Sequence, residues 1–265
     1  MATGKVAIVT GSATGVGAAC ALELAGLGWN VAINYTKSRA EAEATLAAVQ
    51  AKGVQAILVQ ADVGQDADCR RLVAETLKAW GRVDGLINNA GTTKFQTQGD
   101  LDAITPEDFE RITRVNVAGP YMMSRAVFPA MKERWEKDGV RGSIVNISSI
   151  AGVMGVGSSI PYMCSKGALN TLTLALARWL SPAVRVNTIC PGFIDTRWLL
   201  GGMGEENFNK MKAAQEATTP LRHAGTPEDM SDAAVYFLTR AANVTGEFMI
   251  VDAGMHLASL PIKAR

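Results

Sequence analysis

The sequence predicts an α/β fold, a doubly wound, seven-stranded parallel sheet with helices on both faces. Three observations predict it. Short continuous apolar runs alternate with longer Ala-, Glu- and Leu-rich stretches along nearly the whole chain, the pattern of strands buried on both faces and joined by crossover helices. A glycine-rich turn joins the first run to the first helical stretch. No repeat, linker or composition shift divides the 265 residues, so residues 1–265 are expected to form one domain. A barrel of eight strand–helix units competes at this length, but the sequence offers seven strand candidates.

Taken in order, Lys5–Thr10 (KVAIVT) is the first strand. Thr10–Gly17 (TGSATGVG) follows, then a helical stretch over Ala18–Leu27 that Gly28 closes. Strand, glycine turn and helix are the parts of a dinucleotide phosphate loop. Glycines let the backbone approach a pyrophosphate, and the helix N-terminus offers free N–H groups. The spacing is Gly-x-x-x-Gly-x-Gly. Asn30–Asn34 and Gln55–Gln60 read as strands two and three, with a helix over Arg39–Lys52 between them. A helix over Asp66–Trp80, stopped by Gly81, leads to strand four at Asp84–Asn88. After an irregular segment, Thr105-Pro106-Glu107-Asp108 is a helix start, with Thr as cap and acids in the first turn. One helix is expected from there to about Trp135.

Ser143–Ser148 is the fifth strand, and Ser149–Ser159 a Gly/Ser-rich loop. A helix from about Pro161 to Leu180 follows, with Ser158 or Ser159 as its cap. Ala183–Ile189 is the sixth strand, and Arg197–Thr219 a long flap with one or two helices. Loops of that length are usually functional. Thr226-Pro227-Glu228-Asp229 repeats the earlier helix start, and that helix runs to about Thr239. Glu247–Val251 is the seventh strand.

The net charge is +1 with scattered Lys and Arg, which argues against nucleic acid or a membrane surface as partner. Cys20, Cys69, Cys164 and Cys190 have no metal-ligand spacing, so no metal is expected and the thiols read as free in a reducing compartment. Cys164 reads as a packing residue. No secretory leader is visible, and the serines, glycines and Pro161 of the uncharged stretch Ser143–Ser165 argue against a membrane span. The expectation is a soluble, cytoplasmic protein.

Tyr162 and Lys166 lie four residues apart on one helix and share a face. A tyrosine has an ordinary pKa of about 10. A nearby ammonium is expected to lower it by roughly 1–3 units, which makes a general acid/base. Ser149, at the mouth of the preceding strand, is placed to hydrogen-bond a substrate oxygen.

With these residues in view, the chain resembles the classical short-chain dehydrogenase/reductase family over nearly its whole length. The resemblance rests on TGSATGVG, Asp62-Val63, Asn88–Gly91 (NNAG), Asn116 within VNVAG, Ser149 within NISSIAG, Tyr162-x-x-x-Lys166, Pro191-Gly192 and Thr196. It implies a Rossmann-type fold and hydride transfer between a nicotinamide cofactor and a ketone, aldehyde or alcohol, as in 3-oxoacyl reductases or small ketone reductases. Tyr162 would be the acid/base and Ser149 the partner of the substrate oxygen. Lys166 would hold the ribose and depress the Tyr162 pKa. Asn116 would interrupt its helix and bind a relay water. For the cofactor, the resemblance implies Gly11, Ser12, Thr14, Gly15, Val16 and Gly17 at the pyrophosphate, and Asp62 and Val63 at the adenine. Asn89, Ala90 and Gly91 would form the ribose wall, and Pro191, Gly192, Ile194 and Thr196 the nicotinamide end. Asn88 has a structural role as its alternative.

An acid at the end of strand two would read the ribose of NAD. Tyr35, Thr36, Lys37, Ser38 and Arg39 stand there instead, with no acid before Glu41, so NADP is expected over NAD. Thr14, where many NADP-using relatives carry a basic residue, points the other way. Phe95, Met154, Phe193, Trp198 and Met203 are candidate pocket residues for a partly apolar small molecule, or core. Arg197, Lys210 and Lys212 are open between an anion contact and a solvated surface. Family members are commonly tetramers. The helices from Thr105 and Pro161 are expected to pair between subunits, and the last strand and tail to form a second interface. The rivals are a non-catalytic dinucleotide sensor, marked by a broken Tyr/Lys/Ser/Asn set, and an epimerase or dehalogenase on the same fold.

Overall fold

A computed structural model describes residues 4–257. Seven parallel strands form one sheet in the order β3-β2-β1-β4-β5-β6-β7. They are β1 Val6–Val9, β2 Asn30–Tyr35, β3 Ala56–Gln60, β4 Gly85–Asn88, β5 Gly142–Ile147, β6 Val184–Pro191 and β7 Phe248–Val251. Chain direction across the sheet reverses between β1 and β4, so the strand ends there open a crevice, the usual ligand position in such sheets.

Successive strand residues point to opposite faces, and the core divides accordingly. Val9, Ile33, Ile87 and Val145 pack with α1 (Gly15–Gly26) and α10 (Pro227–Thr239). Ile8, Ala32, Leu86 and Ile144 pack with α3 (Asp66–Trp80), α5 (Gly119–Asp138) and α7 (Ile160–Trp179). Helix α2 (Arg39–Gln50) is tied to the glycine loop by Thr45 Oγ1, which donates to the Ala13 carbonyl at 3.0 Å.

The helix expected from Thr105 to Trp135 is three pieces. Helix α4 spans Pro106–Thr113, a π-turn spans Arg114–Ala118, and α5 follows. Thr105 and Asp108 form a full capping box. The flap is two helices, α8 (Arg197–Met203) and α9 (Glu205–Thr218). The loop after β5 contains one short helix, α6 (Ala151–Met154). Ser159 stands at the N-cap of α7, but its side chain makes no capping bond. The tail expected at a second interface lies, from residue 258 on, outside the described residues. Among the described residues no helix is long and apolar enough to cross a membrane, and no group of three or more His, Cys, Asp or Glu is arranged to hold a metal.

Candidate active site

The loop leaving β5 and the start of α7 are locked together through their backbones. A Cβ at Gly152 would stand 2.4 Å from the Lys166 carbonyl carbon, so the loop lies directly on the helix at that point. Ser148 Oγ donates to the Lys166 carbonyl at 3.2 Å. This contact brings Ser149, Tyr162 and Lys166 together. Burial pushes the Tyr162 phenol up to about 12, and the nearby Ser149 hydroxyl pulls it only partly back. Ser149 Oγ itself accepts from the Ala151 N–H at 3.1 Å and donates to the Pro191 carbonyl at 3.5 Å.

Lys166 is buried, with its Nζ 5.6 Å from the centre of the Tyr162 ring. The ammonium donates instead to the Ile147 carbonyl at 2.7 Å. Burial lowers its pKa to about 8. The expected depression of the tyrosine by the lysine is therefore absent here: Nζ is aimed at the end of β5, and desolvation governs both groups. Gly91 lies against the lysine: a Cβ there would stand 3.5 Å from Asn116 Oδ1 and 3.8 Å from Nζ.

Asn116 sits in the π-turn, as an interrupted helix requires. Its Oδ1 accepts from the Thr92 N–H at 2.8 Å, and its Nδ2 donates to the Thr92 carbonyl and to Ser165 Oγ, both at 2.9 Å. Ser165 Oγ in turn donates to the Tyr162 carbonyl at 2.8 Å. The side-chain amide thus braces α7 against the loop after β4, and both of its N–H donors are taken up by protein. A second strut runs beside it: Thr93 Oγ1 and Ser158 Oγ are 2.6 Å apart, and the Gln96 N–H donates to the Ser158 carbonyl at 2.8 Å.

The glycine loop has internal and open positions. Gly11 and Gly15 have φ of +61° and +58°, the left-handed region that favours glycine. A Cβ at Gly17 would meet Asn89 Nδ2 and the Gly11 carbonyl at 2.5 Å, so this glycine serves the packing of α1 on the loop. At Gly15 the nearest neighbour to a Cβ would be Thr196 Cγ2 at 3.8 Å, leaving a cradle open at the start of α1. No side chain caps that helix. A cradle without side chains at an uncapped N-terminus fits a pyrophosphate.

Several residues expected at the cofactor turn inward. Ser12 is fully buried; its hydroxyl donates to the Val9 carbonyl at 2.7 Å and accepts from the Asn34 N–H at 3.0 Å. Tyr35 packs with Ala13 and Ala42. Val16 is part of the core around α1, and Val63 of the core on the opposite face. Asn89 Nδ2 donates to the carbonyls of Thr10 and Gly11 at 2.9 and 3.0 Å, so it buttresses the loop. Gly192 lets the chain cross Asp252, whose Cβ would be 2.7 Å from an added Cβ. Pro191 accepts at its carbonyl from the Ile150 N–H at 2.9 Å. Thr14, Thr36, Lys37, Ser38 and Gly91 are exposed, and Asp62, Ala90, Ile194 and Thr196 are half-buried around the crevice.

Two residues missed in the sequence hold the loop as firmly. Asn34 Oδ1 accepts from the Gly11 N–H, and Thr10 Oγ1 from the N–H groups of Asn89 and Ala90, all at 3.0 Å. A polar residue at the end of an otherwise apolar strand was the available signal. An open groove of about 920 Å³ shares Thr36 and Asp62 with this end of the crevice, then runs away from Tyr162 along β3 past Arg71.

Above the phenol lies an aromatic roof. The Trp198 ring is 6.0 Å from that of Tyr162 and 6.2 Å from that of Phe95, both tilted. Phe193 and Met203, by contrast, join Phe208, Ala224 and Leu199 in the cluster under the flap, and Met154 is exposed. Cys164 is also exposed, against the expectation of packing, because α7 turns that position away from the sheet. Lys212 pairs with Asp195 at the base of the flap, and Lys210 with Glu206 within α9.

Residues 11–256 match the family model described as enoyl-(acyl carrier protein) reductase. The chain is 41% identical to the protein named ketoacyl reductase 2 of the granaticin polyketide synthase of Streptomyces violaceoruber, over 95% of this chain and 96% of that one. It is 35% identical to a 3-oxoacyl-[acyl-carrier-protein] reductase of Synechocystis, over 96% and 97%. A crystal structure from Burkholderia xenovorans, described as a short-chain dehydrogenase/reductase, superposes with a TM-score of 0.88 at 39% identity, covering 97% of this chain and all of that one. The chain belongs to the classical short-chain dehydrogenase/reductase family and is an NAD(P)-dependent oxidoreductase that interconverts carbonyl and alcohol groups.

Proposed function

We propose that this single domain is an NADPH-dependent ketone reductase with Tyr162 as the proton donor. The observation that carries this is the convergence of Ser149, Tyr162 and the buried Lys166 at the carboxyl end of β5, with Lys166 Nζ 5.6 Å from the centre of the Tyr162 ring. A bound nicotinamide would supply the hydride. Ser149 and Tyr162 hydrogen-bond the carbonyl oxygen, and Tyr162 gives its proton as negative charge develops there. A phenol held above its ordinary range is fully protonated at neutral pH, which suits the reductive direction. Lys166 holds the ribose and, once turned from the Ile147 carbonyl toward the phenol, stabilises the phenolate left behind. Asn116 braces the loop against α7, and we assign any water relay to its main chain, since both N–H donors of its amide are already engaged.

NADPH is favoured by the exposed Thr36, Lys37 and Ser38 at the end of β2, with no acid before Glu41 in the segment that follows the strand. Arg39 pairs with Glu43 at 2.8 Å, which leaves Lys37 the nearer cation. The roof of Phe95 and Trp198 favours a ketone carried on a flat apolar framework. The reductase names of the relatives agree with a ketone substrate. A cytoplasmic setting is supported by four free cysteines. A homotetramer is supported by exposed Tyr121 on α5 and Leu174 and Trp179 on α7; light scattering on the eluting protein tests it, and a monomer contradicts it.

The test of function is a panel of ketones read by nicotinamide absorbance, with NADPH and NADH. Turnover with NADPH preferred, lost in Tyr162→Phe while dinucleotide binding persists, is expected. Retained turnover in that variant refutes the acid's identity, and a preference for NADH refutes the cofactor choice.

A further inference from the structure

We propose that Arg197 is a dinucleotide-phosphate ligand carried by the flap, held on Glu41 until cofactor binds. The inference rests on the family's dinucleotide site. Arg197 Nη2 lies 3.4 Å from Glu41 Oε1, joining residues 156 apart in sequence. The pair spans the glycine loop. At one end Thr196 stands beside Gly15, with Cγ2 3.8 Å from where a Cβ would be. At the other, α2 is fastened to the same loop through Thr45 and the Ala13 carbonyl. The guanidinium therefore reaches across the open cradle at the start of α1, where a pyrophosphate fits.

The present partner holds it weakly. The Arg197 and Glu41 side chains are 69% and 41% exposed, and ion pairs so exposed contribute little. A phosphate offers charge-assisted, bidentate hydrogen bonds to the same planar fork. The other basic side chains of the flap are engaged elsewhere: Lys212 with Asp195 and Lys210 with Glu206. Exchange of Glu41 for phosphate would tie the base of α8 to the cofactor, so that cofactor occupancy orders the flap carrying Trp198.

Calorimetric titration of NAD⁺ and NADP⁺ into the wild type, Arg197→Ala, Arg197→Lys and Glu41→Gln tests this. Arg197→Ala is expected to weaken binding about tenfold, the effect of losing one charge-assisted contact. Loss for both dinucleotides assigns the pyrophosphate, and loss for NADP⁺ alone the 2′-phosphate. Arg197→Lys recovers part of the loss. Glu41→Gln binds as tightly as the wild type or more so, because the resting partner is gone. Limited proteolysis of the saturated proteins adds a second readout: cofactor protects residues 197–218 in the wild type and less in Arg197→Ala. Unchanged binding and protection in Arg197→Ala overturns the proposal, as does a Glu41→Gln variant weakened equally, which marks the pair as a structural tie. A wild type that binds neither dinucleotide overturns the cofactor reading beneath it as well.

Discussion

Two adjacent glycines in α8 make a matched experiment on the flap. A Cβ at Gly202 would stand 1.8 Å from Phe95 Cε2 and 2.3 Å from Cζ, whereas a Cβ at Gly201 meets nothing within 4 Å. Carbon atoms pack at about 3.5–4.0 Å, so Gly202→Ala requires a displacement of roughly 2 Å. Either α8 lifts or the Phe95 ring swings out, and both separate Phe95 from Trp198. Each tilted aromatic pair is worth ~0.5–1.5 kcal/mol, so the cost is that of the Phe95–Trp198 pair if the ring swings out, and about 1–3 kcal/mol if α8 lifts and the Trp198–Tyr162 pair is lost as well. Alanine returns ~1 kcal/mol of helix propensity at either position. Gly201→Ala should therefore tighten the flap, and Gly202→Ala should open it with little change in global stability. A misplacement of that size at the substrate lowers kcat/KM by roughly 10²-fold. Hydrogen exchange over residues 197–218, with kcat/KM on the best ketone, reads both effects. Two variants with the same exchange and the same kcat/KM would refute the aromatic roof as a working part of the site.

Lys166→Met tests the cost of burying the ammonium. The folded pKa is about 8 against an ordinary 10.5. Below about pH 8 folded and unfolded chains are both charged, so the penalty is fully present; as pH rises toward 10.5 the unfolded chain holds the extra proton and wild-type stability rises. The Tm of Lys166→Met minus that of the wild type should thus fall between about pH 7 and pH 10, and a flat difference contradicts it. Asn88→Ala tests the polar chain under the site. Asn88 Nδ2 donates to Asn146 Oδ1, and Asn146 Nδ2 to Thr173 Oγ1, both at 2.9 Å and all buried. Stranding the Asn146 oxygen costs ~1–3 kcal/mol, a fall in Tm of roughly 2–6 °C by scanning calorimetry. A change within about 1 °C would leave Asn88 without the structural role assigned to it.

The fold was legible because strand periodicity is strong wherever both faces are buried. All seven strands fall within a residue or two of their apolar runs, and the Thr105 and Thr226 capping boxes form as their spacing requires. The π-turn at Arg114–Ala118 was not legible in periodicity, since one widened turn leaves the apolar spacing nearly intact; it entered through the family resemblance alone. Shared-face spacing put Tyr162 beside Lys166 but says nothing of where a long lysine chain ends. Nζ reached the Ile147 carbonyl, and burial reversed the expected direction of the Tyr162 shift. Motif glycines and polar residues were found, yet Ser12, Gly17 and Asn89 bind one another's elements in preference to facing the crevice. A motif names the residues a loop needs, without dividing those that touch a ligand from those that shape the loop. Trp198 meets both Tyr162 and Phe95 although Trp198 and Phe95 lie 36 and 67 residues of chain from Tyr162, a juxtaposition only the folded flap creates.

The central claim is that the Tyr162 phenol is a reserve of protons whose release the cofactor and Lys166 control together. With four tyrosines in the chain, ring-carbon-labelled tyrosine resolves by NMR, and Tyr162→Phe assigns the signal. The phenol is expected to titrate well above its ordinary value of 10 in the free protein and clearly below it with NADP⁺ bound, a drop absent from Lys166→Met. A phenol that titrates at the same pH with and without NADP⁺, or that falls equally without the lysine, would contradict it.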